Sequence, residues 1–561
     1  MNKRLLFPVA CILAVMVFAV SCNRKAVFGK SPVSKVIEAM TLKEKVNLLV
    51  YVDGTGTTFP ISRLRIPSVV LSDYPAGRNV NTRTVSLAQS WNLQFVENAA
   101  VSACAELKSA GADLLLVPQL EVANPLIWGR MTAALIRGVQ SHGLGAALRL
   151  QSSDNKGYSI AVRESQPWAV MTSAVPENLS VTDSILRKEW GFEGVLMIEC
   201  PQESADSCIS TIIESVRNGI VDVEFVDRNV ERMLELLSRS RTKPEEPEAE
   251  PVQEPVADVR RSVIAEGMVL LKNQGVLPLD RSCDMISLYG VNSYDMYAQA
   301  LRRAGYKLEP SVFAAYSRHS SEQVVPSTLV RKPYQYRADA IASHLAIITL
   351  GCVKGNDFNL TDTEKELIRD VCDAFHSKNR KVVVLLNTDT PIETESWKSQ
   401  PDAILLAGQP VQLTGSAVAV ILQGRVNSSG KLVEDFLTDN GRQVSYPFGY
   451  GLSYTSFSYS EPQVRFEEGN VFLSVVVTNT GTVPGKEVVQ LYLEKPGSRY
   501  GKQSRELHSY GKTELLEPGQ SQTFEFTLSA YDLSVQGEYK AYLSASSQDT
   551  RCQTSFSISR K

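Results

Sequence analysis

Between Thr242 and Pro255 the chain carries four prolines and five glutamates. Such a stretch has no apolar surface to bury, lacks backbone donors at every proline, and is held extended by the mutual repulsion of its carboxylates. No single core can be threaded through it. The chain must therefore fold as separate bodies on either side, with residues 242–256 as the linker. Its length of 561 residues, with 43% apolar and 21% charged residues, suits a globular protein of about three domains. A net charge of −3 gives no basic footprint and argues against nucleic acid as a partner.

The first thirty residues read as a signal and tether. Asn2-Lys-Arg4 is a basic start, Leu5 to Val20 is apolar, and Ala19-Val-Ser-Cys22 fits a lipobox, after which Cys22 would carry lipid and anchor the protein to a membrane. A plain membrane span would need a longer apolar run. Export implies an oxidising compartment in which thiols can pair. The seven cysteines after residue 30 are odd in number and scattered without C-x-x-C spacing, so they point to neither a zinc site nor a dense disulfide framework, and most read as small buried hydrophobes. No cofactor or metal is called for.

From residue 31 to 241 helical patterns alternate with short apolar runs: Pro67-Ser-Val-Val-Leu71, Ala112 to Val117, Gly145 to Leu150, Ala169-Val-Met171 and Val195-Leu-Met-Ile198. Continuous apolar runs of this kind are buried parallel strands, and the alternation is that of a βα-repeating domain. The last run ends on Glu199. A carboxylate at the C-terminal end of a barrel strand sits where barrel enzymes place their chemistry, although read alone it is also a solvated strand end. Residues 257–455 repeat the βα alternation, with apolar runs Met285 to Tyr289, Leu345 to Leu350, Val382 to Leu386 and Ala403 to Leu406. Residues 456–561 change to period-two alternation broken by Gly and Pro, the pattern of a small antiparallel sandwich.

Several strings together resemble glycoside hydrolase family 3, the β-glucosidase-like enzymes. Met40-Thr-Leu-Lys-Glu-Lys-Val46 resembles the family's M-T-L-E-E-K-V, Leu71-Ser-Asp-Tyr-Pro-Ala-Gly77 its L-S-D-G-P-A-G, and Asn124 to Arg130 its N-P-L-x-G-R. Gly267 to Leu279, Asn427-Ser-Ser-Gly-Lys-Leu432 and Tyr446-Pro-Phe-Gly-Tyr-Gly-Leu-Ser-Tyr454 match its second domain, and the last hundred residues resemble its fibronectin III-like domain. The resemblance implies a multidomain α/β plus β fold: an incomplete (β/α) TIM-like barrel, an α/β sandwich and a fibronectin III-like β-sandwich. It implies a retaining β-glucosidase type of activity on a β-glucoside-like glycan.

By the same resemblance Leu196-Met-Ile-Glu199 aligns with the strand whose Asp is the family's nucleophile, so Glu199 takes the nucleophile position. Asp73 and Arg130 take positions that hold sugar hydroxyls; taken alone, they are a turn-capping Asp and a surface Arg. The family's K-H-F, whose Lys and His clasp neighbouring hydroxyls, falls on Arg149-Leu150-Gln151, leaving Arg149 as the altered cation. The acid, a Glu on a loop of the second domain, aligns with Leu350 to Leu360, which has no Glu and offers only Asp357, itself readable as a turn residue. Retention needs a second carboxyl group about 5–5.5 Å from the nucleophile. The expectation is thus a family 3-like protein with impaired or lost hydrolysis, or an inactive glycan-binding or accessory lipoprotein on the same scaffold.

Overall fold

The computed structural model describes residues 26–73, 84–118, 122–151, 155–173, 176–241, 256–351, 359–411, 413–438, 443–497, 505–529, 533 and 535–559. Cys22, Asp357 and the linker up to Pro255 lie outside them.

The first domain is built on six short strands: β1 (Val50–Val52), β2 (Leu71–Asp73), β3 (Leu114–Leu116), β4 (Gly145–Arg149), β5 (Ala169–Ser173) and β6 (Val195–Cys200). They form one parallel sheet in the order β1-β6-β5-β4-β3-β2. Ahead of their C-terminal ends the runs are mainly apolar, because helices cover the outer face and the barrel interior the other. The two end strands are joined by the segment after β1, which turns back so that Thr58 bridges Tyr51 and Thr57 bridges Val70, both antiparallel. Thr58 N donates to Val69 O at 3.0 Å and Leu71 N to Gly56 O at 2.7 Å. One antiparallel rung thus stands where a full barrel has further βα units, giving the incomplete barrel that the short first domain implied.

Helix α1 (Leu42–Leu49) starts with a capping box: Glu44 N donates to Thr41 Oγ1, and the Glu44 carboxylate accepts from Thr41 N at 2.8 Å. Helix α2 spans Pro125–Ser141. Asn124 Oδ1 accepts from Leu126 N and Ile127 N, and proline fills the first helical position, where its missing N–H costs nothing. Helix α3 (Ala205–Arg217) follows β6.

Helix α4 (Val256–Gly267) opens the second domain. Its strands β7 (Val269–Asn273), β8 (Met285–Gly290), β9 (Lys307–Leu308), β10 (Leu345–Gly351), β11 (Lys381–Asn387) and β12 (Ala403–Leu406) run β7-β12-β11-β10-β8-β9. All are parallel except β7, giving the mainly parallel α/β sandwich expected. A two-stranded ribbon, β13 (Phe436–Leu437) with β14 (Val444–Tyr446), follows.

The third domain is a sandwich of two four-stranded antiparallel sheets. One holds β15 (Phe457–Tyr459), β16 (Gln463–Glu467), β17 (Asn470–Asn479) and β20 (Ser521–Leu528). The other holds β18 (Val488–Glu494), β19 (Glu506–Lys512), β21 (Gly537–Ser544) and β22 (Thr550–Ile558). Alternation on β17 buries Val471, Leu473, Val475 and Val477 between them.

The three bodies meet at Trp91, 1% exposed. Its Nε1 donates to Lys431 O of the second domain at 3.1 Å, and its ring packs edge-on against Tyr510 of the third, centroids 5.0 Å apart. Beside it, the Glu266 carboxylate at the end of α4 accepts from Asn92 Nδ2 (2.9 Å) and pairs with Lys512 Nζ (3.0 Å) and Lys486 Nζ (3.1 Å). Burial works against that charge, but the two ammonium groups outweigh it and hold the carboxyl down to about 2. Lys512, also buried, is pushed down to about 8 despite Glu266.

Candidate functional site

Register decides which side chains share the barrel mouth. Arg149, Met171 and Met197 are opposite one another across β4, β5 and β6, and Glu199 lies two residues beyond Met197 on the same face. Tyr51 on β1 is opposite Glu199, and Asp53 follows two residues later. Asp73 is opposite Leu116, which is opposite Ala147, two residues before Arg149. The C-terminal ends of the strands therefore bring Tyr51, Asp53, Asp73, Arg149 and Glu199 to one face.

Within this group Arg149 reaches across β5. Its Nη2 lies 2.8 Å from Glu199 Oε1 and 3.8 Å from Asp53 Oδ1. Taken end to end, those distances put the two carboxylate oxygens no more than 6.6 Å apart. Glu199 has a side chain 20% exposed and Asp53 one 63% exposed. Burial raises the pKa of Glu199 above its ordinary value; the Arg149 charge opposes this and the Asp53 charge adds to it. Tyr51, buried beneath, is raised by burial first and then by Asp73 and Asp53, while Arg149 lowers it and Glu199 raises it. Arg149 Nε is buried with no partner among the described residues.

Arg130 is not part of the group. It sits in the second turn of α2 rather than at a strand end, because the helix already begins at Pro125. Its Nε pairs with Glu164 at 3.3 Å, its Nη1 donates to Ser509 Oγ at 3.2 Å, and its guanidinium lies over the Tyr510 ring at 5.7 Å. Arg130 therefore joins the first domain to the third.

The reading that most cysteines are small buried hydrophobes also needs correcting at one place: Cys200, directly after Glu199, is disulfide-bonded to Cys208 on α3. That bond ties the end of β6 to the following helix.

Two residues of the group, Tyr51 and Asp53, were missed because β1 is only three residues long, too short for a period to show. The signal was present in Val50-Tyr-Val-Asp53: an apolar triplet ending on a carboxylate before Gly54-Thr-Gly56, the same punctuation that marked Asp73 and Glu199. Among the described residues no cluster of His, Cys, Asp or Glu is gathered to hold a metal ion, and no helix is long and apolar enough to cross a membrane.

Residues 268–454 match the glycosyl hydrolase family 3 C-terminal domain, and residues 487–549 match the fibronectin type III-like domain. Thermostable beta-glucosidase B of Acetivibrio thermocellus is 26% identical, the alignment covering 88% of this chain and 82% of that protein. Beta-glucosidase 3B of Thermotoga neapolitana, solved in complex with alpha-D-glucose, superposes with a TM-score of 0.82 at 26% identity, over 94% of this chain and 99% of that one. The Bifidobacterium adolescentis GH3 beta-glucosidase superposes with a TM-score of 0.79 at 20% identity, over 93% and 95%. An incomplete parallel barrel with charged strand ends, followed by an α/β sandwich and a fibronectin III-like sandwich, is the build of a multidomain glycoside hydrolase. The chain carries the glycosyl hydrolase family 3 C-terminal domain and a fibronectin type III-like domain, and over most of its length it is similar to β-glucosidases of that family.

Proposed function

We propose that the protein binds a β-glucoside-like glycan at the mouth formed by Asp53, Asp73, Arg149 and Glu199, and that its hydrolysis of glycosidic bonds is impaired or lost. The observation carrying this reading is the Arg149 guanidinium, whose Nη2 lies 2.8 Å from Glu199 and 3.8 Å from Asp53, so the carboxylate at the nucleophile position is already paired with a cation. Glu at the nucleophile position moves the attacking oxygen by about 1.5 Å relative to Asp, a displacement that can cost about 100-fold. Glu364, the nearest glutamate after the loop that should carry the acid, is committed to the cap of the helix Asp362–His376, accepting from Thr361 N at 2.9 Å.

Binding is tested by melting the protein against a panel of sugars. A ligand at about 100 times its dissociation constant adds about 2.7 kcal/mol, an easily read shift. Asp73→Ala abolishes the shift while leaving the fold intact, since Asp73 is exposed at the end of β2. If no sugar moves the melting point, or if Asp73→Ala unfolds the protein, the glycan-binding reading is wrong.

The protein is further proposed to be exported and membrane-anchored through lipid on Cys22. Fatty-acid labelling of the wild type and loss of the label in Cys22→Ser support this; equal labelling of the two overturns it.

A further inference from the structure

We infer that the strand-end site prefers sugars carrying an amine over sugars carrying a carboxylate, with Asp53 as the residue that sets the preference. This rests on the glycan-binding reading above and adds the charge class of the ligand. Three carboxylates, Asp53, Asp73 and Glu199, and one guanidinium, Arg149, occupy the same face, and all four act on the Tyr51 phenol between them. The single cation is already engaged, at 2.8 Å with Glu199 and 3.8 Å with Asp53. Among the described residues an incoming carboxylate finds no free cation there and meets a net negative field.

The partition of Arg149 makes Asp53 the available partner. Glu199 is held close and mostly covered, whereas Asp53 is held a full ångström further away and is 63% exposed. An ammonium on the sugar takes the open side of Asp53, forming a charge-assisted hydrogen bond, while Arg149 keeps Glu199.

Calorimetric titration of the full chain at pH 6 with glucosamine, glucose, N-acetylglucosamine and glucuronate tests this. N-acetylglucosamine matches the position of the amine without its charge. Glucosamine is expected to bind at least about 10-fold tighter than glucose or N-acetylglucosamine, with glucuronate weakest. The gap should shrink at 0.5 M salt, because screening weakens attraction at a mouth open to solvent. Asp53→Asn brings the glucosamine-to-glucose ratio close to one, and Asp53→Glu, which keeps the charge, retains the preference. Glucose binding without any amine preference, glucuronate binding as tightly as glucosamine, or an unchanged ratio in Asp53→Asn overturns this inference alone. Failure of every sugar to bind overturns the glycan-binding reading together with it.

Discussion

Arg149 Nη2 sits 2.8 Å from Glu199 Oε1, yet burial still leaves that carboxyl harder to ionise than a free glutamate. The consequence for stability has a definite sign. A carboxyl whose folded pKa is raised stabilises the fold fully below its ordinary value of 4.5, and this contribution is lost as pH rises through the raised value. Glu199→Gln removes that loss. The variant should melt higher than the wild type at pH 7, by about 0.5–2 kcal/mol, and the difference should vanish near pH 4. Melting curves from pH 4 to 8 check it; a Glu199→Gln protein less stable at pH 7 would mean that Arg149 outweighs burial.

Shortening Glu199 to Asp restores the family's nucleophile residue but not its surroundings. Cellobiose turnover should stay near background in both wild type and Glu199→Asp. An activated aryl β-glucoside, whose leaving group needs little protonation, is the substrate on which any residual rate would appear. Wild-type cellobiose turnover at tens per second, lost in Glu199→Gln, would refute impaired hydrolysis.

Glu266 is the carboxylate on which Lys512 and Lys486 converge. With its pKa down to about 2, its contribution is present above pH 4.5 and drains away as pH falls towards 2. Glu266→Gln strands Lys512 in a buried place without a counter-charge, which costs about 3–5 kcal/mol at neutral pH. Acid titration of the melting point should show the wild type losing stability below pH 4.5 more steeply than the variant.

Trp91→Ala opens a cavity where three domains meet and should cost about 3–5 kcal/mol, as large buried aromatics do. The loss should appear as a shift of the whole unfolding transition. A loss confined to one of several separate transitions would show that the ring stabilises only its own domain.

Most of what formed the fold was written locally. The capping boxes at Thr41 and Thr361 and the parallel apolar runs follow from spacings of a few residues, and all of them formed. Glu199, Asp73 and Arg149 came to one face because the register of a parallel sheet carries strand ends to a common edge. Arg130 fell outside the group because the Asn124-Pro125 start of α2, itself a local signal, puts it in the second turn of a helix. The link of Cys200 to Cys208 has no distinctive spacing, and the pairing of Glu266 with Lys512 joins residues of two different domains, far apart in sequence. Contacts of that second kind leave no periodic trace, since they depend on where whole domains come to rest.

Trp91, Asn92 and Arg130 come before the 242–255 stretch, whereas Glu266, Lys431, Ser509 and Tyr510 come after it, so the contacts among them do not need that stretch to be intact. A protease cut within it should give two fragments that stay together through size-exclusion chromatography. The same two pieces, produced as separate polypeptides, should reassociate into a complementing pair.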